Sequence, residues 1–172
     1  MFTKEERSTF KYWFAHWCAF QLVALSSHAW KPKYLLHDIE KPWLKLFWPY
    51  PKVQKWHRQH NNHHLEYTGK KKLDYEAMCI DWDCSRFTKS NSQLNAFFTF
   101  LWYLSDKENY QKIKYRLVGS GTLDDISTWD IVKALKKLGM WNSDIKIDTY
   151  SPTDLQNLKT GKTWNYNNSR IV

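Results

Sequence analysis

The sequence predicts an all-α protein, on three observations. Eleven Trp, ten Tyr and nine Phe stand against only five Gly, and bulky rings with few hinges favour thick helix-on-helix packing over a turn-rich β fold. Apolar residues recur at helical spacing near the start of the chain, as Phe10, Trp13, Phe14, Trp17, Ala24 and Leu25. Helix-start and helix-stop signals punctuate most of the length. The composition grows more polar from Ser105 onward. The expected architecture is therefore a compact helical domain over residues 1–105, followed by a mostly helical C-terminal appendage over 106–172.

Thr3-Lys4-Glu5-Glu6 reads as a capping box, so a first helix is expected from about Lys4 to Ser27. Lys31-Pro32 breaks it, and Tyr34 to Asp38 begins a short second helix that Pro42 ends or bends. After Pro49-Tyr50-Pro51, a third helix is expected to carry Val53, Trp56, His57, His60, His63 and His64 up to the Thr68-Gly69 and Lys70-Lys71-Lys72 loop. Asp74 caps a fourth helix, Tyr75 to Lys89, and Ser90-Asn91-Ser92 separates it from a fifth, Gln93 to Leu104, apolar around most of its circumference. Ser127-Thr128-Trp129-Asp130 opens another helix that Gly139 closes, and Ser151-Pro152 caps one near Asp154 to Lys159. Thr160 to Val172, rich in Asn, Lys and Thr, is expected to be a loose or partner-ordered tail.

With 42% hydrophobic and 25% charged residues in 172, the chain has the material for a core, which excludes wholesale disorder, collagen-like and coiled-coil architectures. Three cysteines, with no Cys-x-x-Cys pair, exclude a disulfide scaffold and a zinc ribbon, and fit a reducing compartment such as the cytoplasm. The 26 Lys and Arg exceed 17 acidic residues by nine, a charge that suits nucleic acid, an anionic membrane or an anionic small substrate. Lys4, Arg7 and Lys11 before the apolar run Tyr12–Leu25, with Ser27-His28-Ala29 after it, loosely resemble a secretory leader. Glu5, Glu6, His16 and Gln21 interrupt that pattern, and the run falls short of the ~20 residues of a spanning helix. It reads as a folded helix, with no transmembrane segment expected.

Five of the seven histidines fall between His37 and His64, accompanied by Asp38, Glu66, Asp81 and Asp83. Imidazole nitrogen with carboxylate oxygen suits a divalent Mn, Fe, Co, Ni or Zn ion, whereas Ca or Mg would take oxygen almost exclusively. Asp81 shares a helix face with Met78 and Ser85, and Asp83 points away from it, free to pair with basic residues.

In order along the chain stand His16, then His37-Asp38-x-x-Lys41, Trp56-His57, Asn61-x-His63-His64 and Asp81-Trp82. This set resembles the HD superfamily of metal-dependent phosphohydrolases, and more closely a small phage and bacterial family of HD-like type. The resemblance covers about residues 10–90. It implies an HD-like metal-binding domain in which an upstream His, the His37-Asp38 doublet and Asp81 bind one divalent ion, and His63 and His64 contribute to a second. The upstream ligand is His16 by its spacing of 21 residues before His37, with His28, on the stripe of Trp17, Gln21 and Ala24, as the alternative. Departures from the family pattern are Glu40 before the Lys, a compact interval of 43 residues from Asp38 to Asp81, and no Gly-Tyr-Pro after Glu66.

The implied reaction is hydrolysis of a phosphate ester, of a nucleotide or another small anionic substrate. Asp38 would ligate the ion and orient water, and Lys41 or Arg86 would neutralise developing charge. His57, His63 and His64 would either hold a second ion or supply a proton to the leaving oxygen. Two other readings stand beside it. One is a basic, aromatic-rich module that binds single-stranded nucleic acid, at least weakly, through Lys70 to Lys72 and the tail. The other is a catalytically inactive HD-like interaction domain clipped by metal.

Overall fold

The computed structural model describes residues 1–90, 93–104, 115–118, 122–125, 128–144 and 152–160. The chain is helical, as the sequence predicts. Its helices are α1 (Phe10–Ser26), α2 (Glu40–Leu44), α3 (Tyr50–His60), α4 (Tyr75–Thr88), α5 (Ala96–Leu104), α6 (Thr128–Lys137) and α7 (Pro152–Thr160). An antiparallel pair of strands, β1 (Tyr115–Val118) and β2 (Thr122–Asp125), matches Tyr115 with Asp125 and Val118 with Thr122 within the region expected to be a mostly helical appendage. No helix among the described residues is long and apolar enough to cross a membrane.

The Thr3 capping box forms, with Thr3 N–H donating to Glu6 Oε2 at 2.8 Å, but it caps a 3-10 turn, Glu6–Ser8. Thr9 is extended and its hydroxyl accepts from Tyr12 N–H, so α1 starts six residues later than expected. At its other end His28 takes φ 51°, while Ala29 N–H reaches Ala24 O and His28 N–H reaches Leu25 O. This is a Schellman ending with histidine in the left-handed position that glycine usually fills. The same pattern closes α6 at Gly139, φ 68°, with Met140 N–H on Leu135 O.

Three expected boundaries shift. Pro32–Leu36 is a 3-10 turn rather than the start of an α-helix, and Pro42 sits in the first turn of α2, where its missing N–H costs nothing. Helix α3 stops at His60 because Asn61 is extended, so His63 and His64 lie on the loop beyond it. Helix α5 starts at Ala96 rather than Gln93, because Asn95 Oδ1 accepts Phe98 N–H at 2.8 Å and Asp83 Oδ1 accepts Ala96 N–H at 3.1 Å.

Helices α1 and α4 form the centre of the molecule. Phe20, Val23 and Ala24 of α1 meet Ala77, Met78, Ile80 and Cys84 of α4 in one buried cluster. Ile131, Ala134 and Leu135 of α6 belong to that same cluster. Leu155 of α7 is buried with Leu94, Phe97, Phe98 and Leu101. Helix α6, beyond the compositional change at Ser105, therefore shares the core of α1 and α4, while α7 packs in a second cluster with α5. Of the tail expected from Thr160 to Val172, Thr160 is the last residue of α7 and 161–172 lie outside the described residues.

Candidate metal centre

The centre is built where α1, the 34–38 loop, the 61–64 loop and α4 converge. Helix α1 carries Trp13, Trp17 and Gln21 at successive i, i+4 positions on one face. Trp13 Nε1 donates to Asp38 O at 2.8 Å, Trp17 Nε1 to Leu35 O at 3.1 Å and Gln21 Nε2 to Tyr34 O at 2.7 Å. Three side chains thus take up the loop carbonyls and clamp the segment that carries His37 and Asp38. Consecutive residues in a strand point to opposite faces, yet both of these must face inward. Asp38 achieves this with φ 61°, a left-handed conformation that costs of the order of 1–2 kcal/mol for a residue with a Cβ and is best tolerated by Asp and Asn.

His16, His37, Asp38, His57, His63 and Asp81 are all buried, and His64 is half-buried. His37 Nε2 lies 3.6 Å from Asp38 Oδ1 and 3.8 Å from Asp81 Oδ1. His16 Nε2 lies 2.9 Å from Asp81 Oδ1 and 3.8 Å from Asp38 Oδ2. On the other side of Asp38, His63 Nε2 is 3.7 Å and His57 Nε2 3.1 Å from Oδ1, and His57 Nε2 faces His64 Nε2 at 2.6 Å. His37 Nε2, His63 Nε2 and Asp38 Oδ1 are buried with no hydrogen-bond partner of good geometry.

Unpaired buried polar atoms are costly unless something unites them. Two donors each about 2.1 Å from one tetrahedral ion lie about 3.4 Å apart, close to the 3.6 Å and 3.7 Å that separate His37 Nε2 and His63 Nε2 from Asp38 Oδ1. Two adjoining groups could each hold an ion: Asp38 with His57, His63 and His64, and His16 with His37 and Asp38. Cys84, which sequence reasoning passed over, stands beside His16 and Asp81 as a third donor set.

The protonation states suit ligation. Burial holds the His37 and His64 imidazoles well below their ordinary pKa, and lowers His16 against the pull of Asp81. Burial works to raise Asp38 and Asp81, but the Lys41 ammonium and His57 beside the first, and the hydrogen bond from His16 to the second, hold both well below the usual carboxylate range. Neutral imidazoles and ionised carboxylates are the forms a divalent ion binds. Burial and Lys41 disfavour charge on His57, yet Asp38 and Glu40 outweigh them and raise its pKa.

Glu40, which the sequence presented only as a departure, is a partner of His57: Oε1 accepts from His57 Nδ1 and, at 3.0 Å, from Asn61 Nδ2. A carboxylate on the far nitrogen fixes the ring so that Nε2 faces the centre. Thr88 Oγ1 plays the corresponding part for His16 Nδ1, at 3.3 Å.

Lys41 Nζ donates to Asp38 Oδ2 at 2.5 Å, as its position after the doublet suggested. Burial opposes its charge, but Asp38 outweighs that and raises its pKa, so it stays cationic. Arg86 is corrected: it is buried, bonds Asp83 Oδ2 at 3.2 Å and lies 4.5 Å over the Phe87 ring, away from the cleft. Lys89 lies on the cleft instead, with Nζ on Ser85 Oγ at 2.7 Å. His28 is exposed at the end of α1 and belongs to no donor group, which leaves His16 as the upstream residue of the cluster.

The cleft measures about 1220 Å³, and His16, His64 and Asp81 line it together with Lys41, Arg58 and Lys89. It can admit an anion and hold it beside the histidines and carboxylates. Comparison with protein-family models, curated proteins and solved structures finds no match to this chain.

Proposed function

We propose that the protein is an HD-type metal-dependent phosphohydrolase that cleaves a phosphate ester of a small anionic substrate such as a nucleotide. The observation that carries this reading is the convergence of His37 Nε2 and His63 Nε2, both buried and without a hydrogen-bond partner, on the buried Asp38 carboxylate. The donor set of nitrogen and oxygen favours Mn, Fe, Co, Ni or Zn, with Asp38 positioned to be shared if two ions bind. A bound ion of this kind supplies a nucleophilic water at neutral pH and a Lewis acid for a phosphoryl oxygen.

The remaining work falls to side chains on the cleft. Lys41 and Lys89 offer ammonium groups to the phosphate oxygens, in the role expected of Lys41 and in place of Arg86. His64, half-buried and held neutral, is the group that can take or give a proton to an oxygen in the cleft when it is not engaged by metal. Glu40 and Asn61 hold His57 in orientation.

The test is turnover of a panel of nucleotides and simple phosphate esters after chelation and after Mn is restored. The reading expects hydrolysis that depends on added metal and falls by at least about a hundredfold in both Asp38→Ala and Asp81→Ala, with helical circular dichroism retained. No hydrolysis across the panel, combined with tight and specific binding of single-stranded oligonucleotides, would overturn it.

A further inference from the structure

The outer side of α1 and α2 is an apolar surface. Phe10, Trp43, Leu46 and Phe47 each leave between 65% and 80% of their surface exposed. Phe14, Leu36 and Ile39 are exposed beside them. On α1 the rings are continuous: Phe10 contacts Phe14 and Trp13, and Phe14 stacks on Trp17 at 6.1 Å. The indoles of Trp13 and Trp17 join α1 to the 35–38 loop, and Phe10 and Leu46 line one cavity. Among the described residues nothing covers this face, and contiguous apolar area of this kind marks an interaction site.

The charge around it identifies the partner. Between Arg7 and Leu65 the chain carries nine Lys and Arg against two acidic residues, Asp38 and Glu40. Both of those carboxylates are turned inward onto Lys41 and His57; exposed Glu6, just before this stretch, interacts electrostatically with Lys11, while exposed Lys45 has no exposed acid within the stretch to offset it. Exposed Trp, Phe and Leu set among lysines form a surface complementary to a bilayer with anionic headgroups, where rings enter the acyl boundary and ammonium groups meet phosphate. The face also has an entrance. A cavity of about 300 Å³ lies between Phe10, Trp13, Pro42 and Leu46, with Arg7 and Lys45 on its wall, and reaches buried His16 and Asp38.

We propose that the α1–α2 face docks on an anionic lipid bilayer, with Trp43, Leu46 and Phe47 inserted and Lys11 and Lys45 on headgroup phosphates. This interaction goes beyond the hydrolase reading and does not rest on it. It places the apolar cavity at the membrane surface, within reach of an amphiphilic anion.

The experiment is flotation of the full chain with vesicles of phosphatidylglycerol and phosphatidylcholine, compared with vesicles of phosphatidylcholine alone, at low and high salt. Trp43→Ser combined with Phe47→Ser tests insertion, and Lys11→Glu combined with Lys45→Glu tests charge. Thermal unfolding of each variant checks that the fold is kept. Binding is expected only to the anionic vesicles, to weaken with salt, and to fall at least about tenfold in each double variant. Absence of vesicle binding overturns the proposal, as does binding that neither pair of substitutions weakens. Concentration-dependent self-association abolished by Trp43→Ser and Phe47→Ser, without vesicle binding, also overturns it and assigns the face to a second copy.

Discussion

The indole N–H of Trp13 donates a 2.8 Å hydrogen bond to the backbone carbonyl of Asp38, the residue whose carboxylate stands between the two donor groups. A residue held at φ 61° needs its neighbours to fix it, and this bond does so from a helix rather than from the loop itself. Trp13→Phe keeps the ring and removes the donor. We expect metal affinity to fall about tenfold with little loss of helix content, measured by Mn or Ni titration. Unchanged affinity would show that the loop holds its own shape.

Glu40 acts on the centre through His57. Glu40→Gln is expected to weaken metal binding about 10–100-fold, because it removes the charge on the far side of the imidazole. The far-ultraviolet spectrum should not change, since Glu40 is half-buried and takes no part in the apolar clusters. Equal affinity in the two proteins contradicts the role assigned to this carboxylate.

The central site was largely legible in the sequence, because the ordered histidines and aspartates needed only approximate helices to bring them together. His16, His37, Asp38, His63, His64 and Asp81 all fall in three overlapping donor groups linked through His16 and Asp38. The misplaced residue was Arg86, and its position contained the signal: five residues beyond Asp81 is about 140° around a helix, whereas Lys89, eight beyond, is about 80° away. Glu40 and Asn61 were hidden because their role depends on a contact between α2 and the end of α3, which no local spacing encodes. Asp74 caps α4 and Gly139 closes α6 as their local sequence signals imply, and the Thr3 box, though real, caps only a short turn.

Ile131 is fully buried in the cluster that joins α6 to α1 and α4. Ile131→Ala should therefore lower the free energy of unfolding by about 2–5 kcal/mol, and the protein should still unfold in one transition. A loss below about 0.5 kcal/mol, or a separate early transition for α6, would mean that the C-terminal helices form their own unit.

Glu76 ties three elements, with Oε2 on Lys31 Nζ at 2.7 Å and Oε1 on Lys137 Nζ at 2.5 Å. Burial pushes its pKa up, but the two lysines outweigh that and hold it below the ordinary glutamate value. A depressed carboxylate stabilises the fold above its unfolded pKa and loses that contribution as pH falls through its folded one. Glu76→Gln is thus expected to cost up to about 1 kcal/mol at neutral pH. The difference from the parent should close as the pH drops below about 4, in denaturant unfolding across pH. A difference that stays constant with pH would assign the effect to packing instead.

The most direct test of the buried centre is elemental analysis of the full chain after dialysis against micromolar Mn, Ni or Zn and then against metal-free buffer, beside Asp38→Ala. The parent protein is expected to retain at least one equivalent of ion, and the variant to retain its helical spectrum while losing the ion. No retained metal in the parent, or equal retention in Asp38→Ala, would contradict a metal centre formed by these histidines and aspartates.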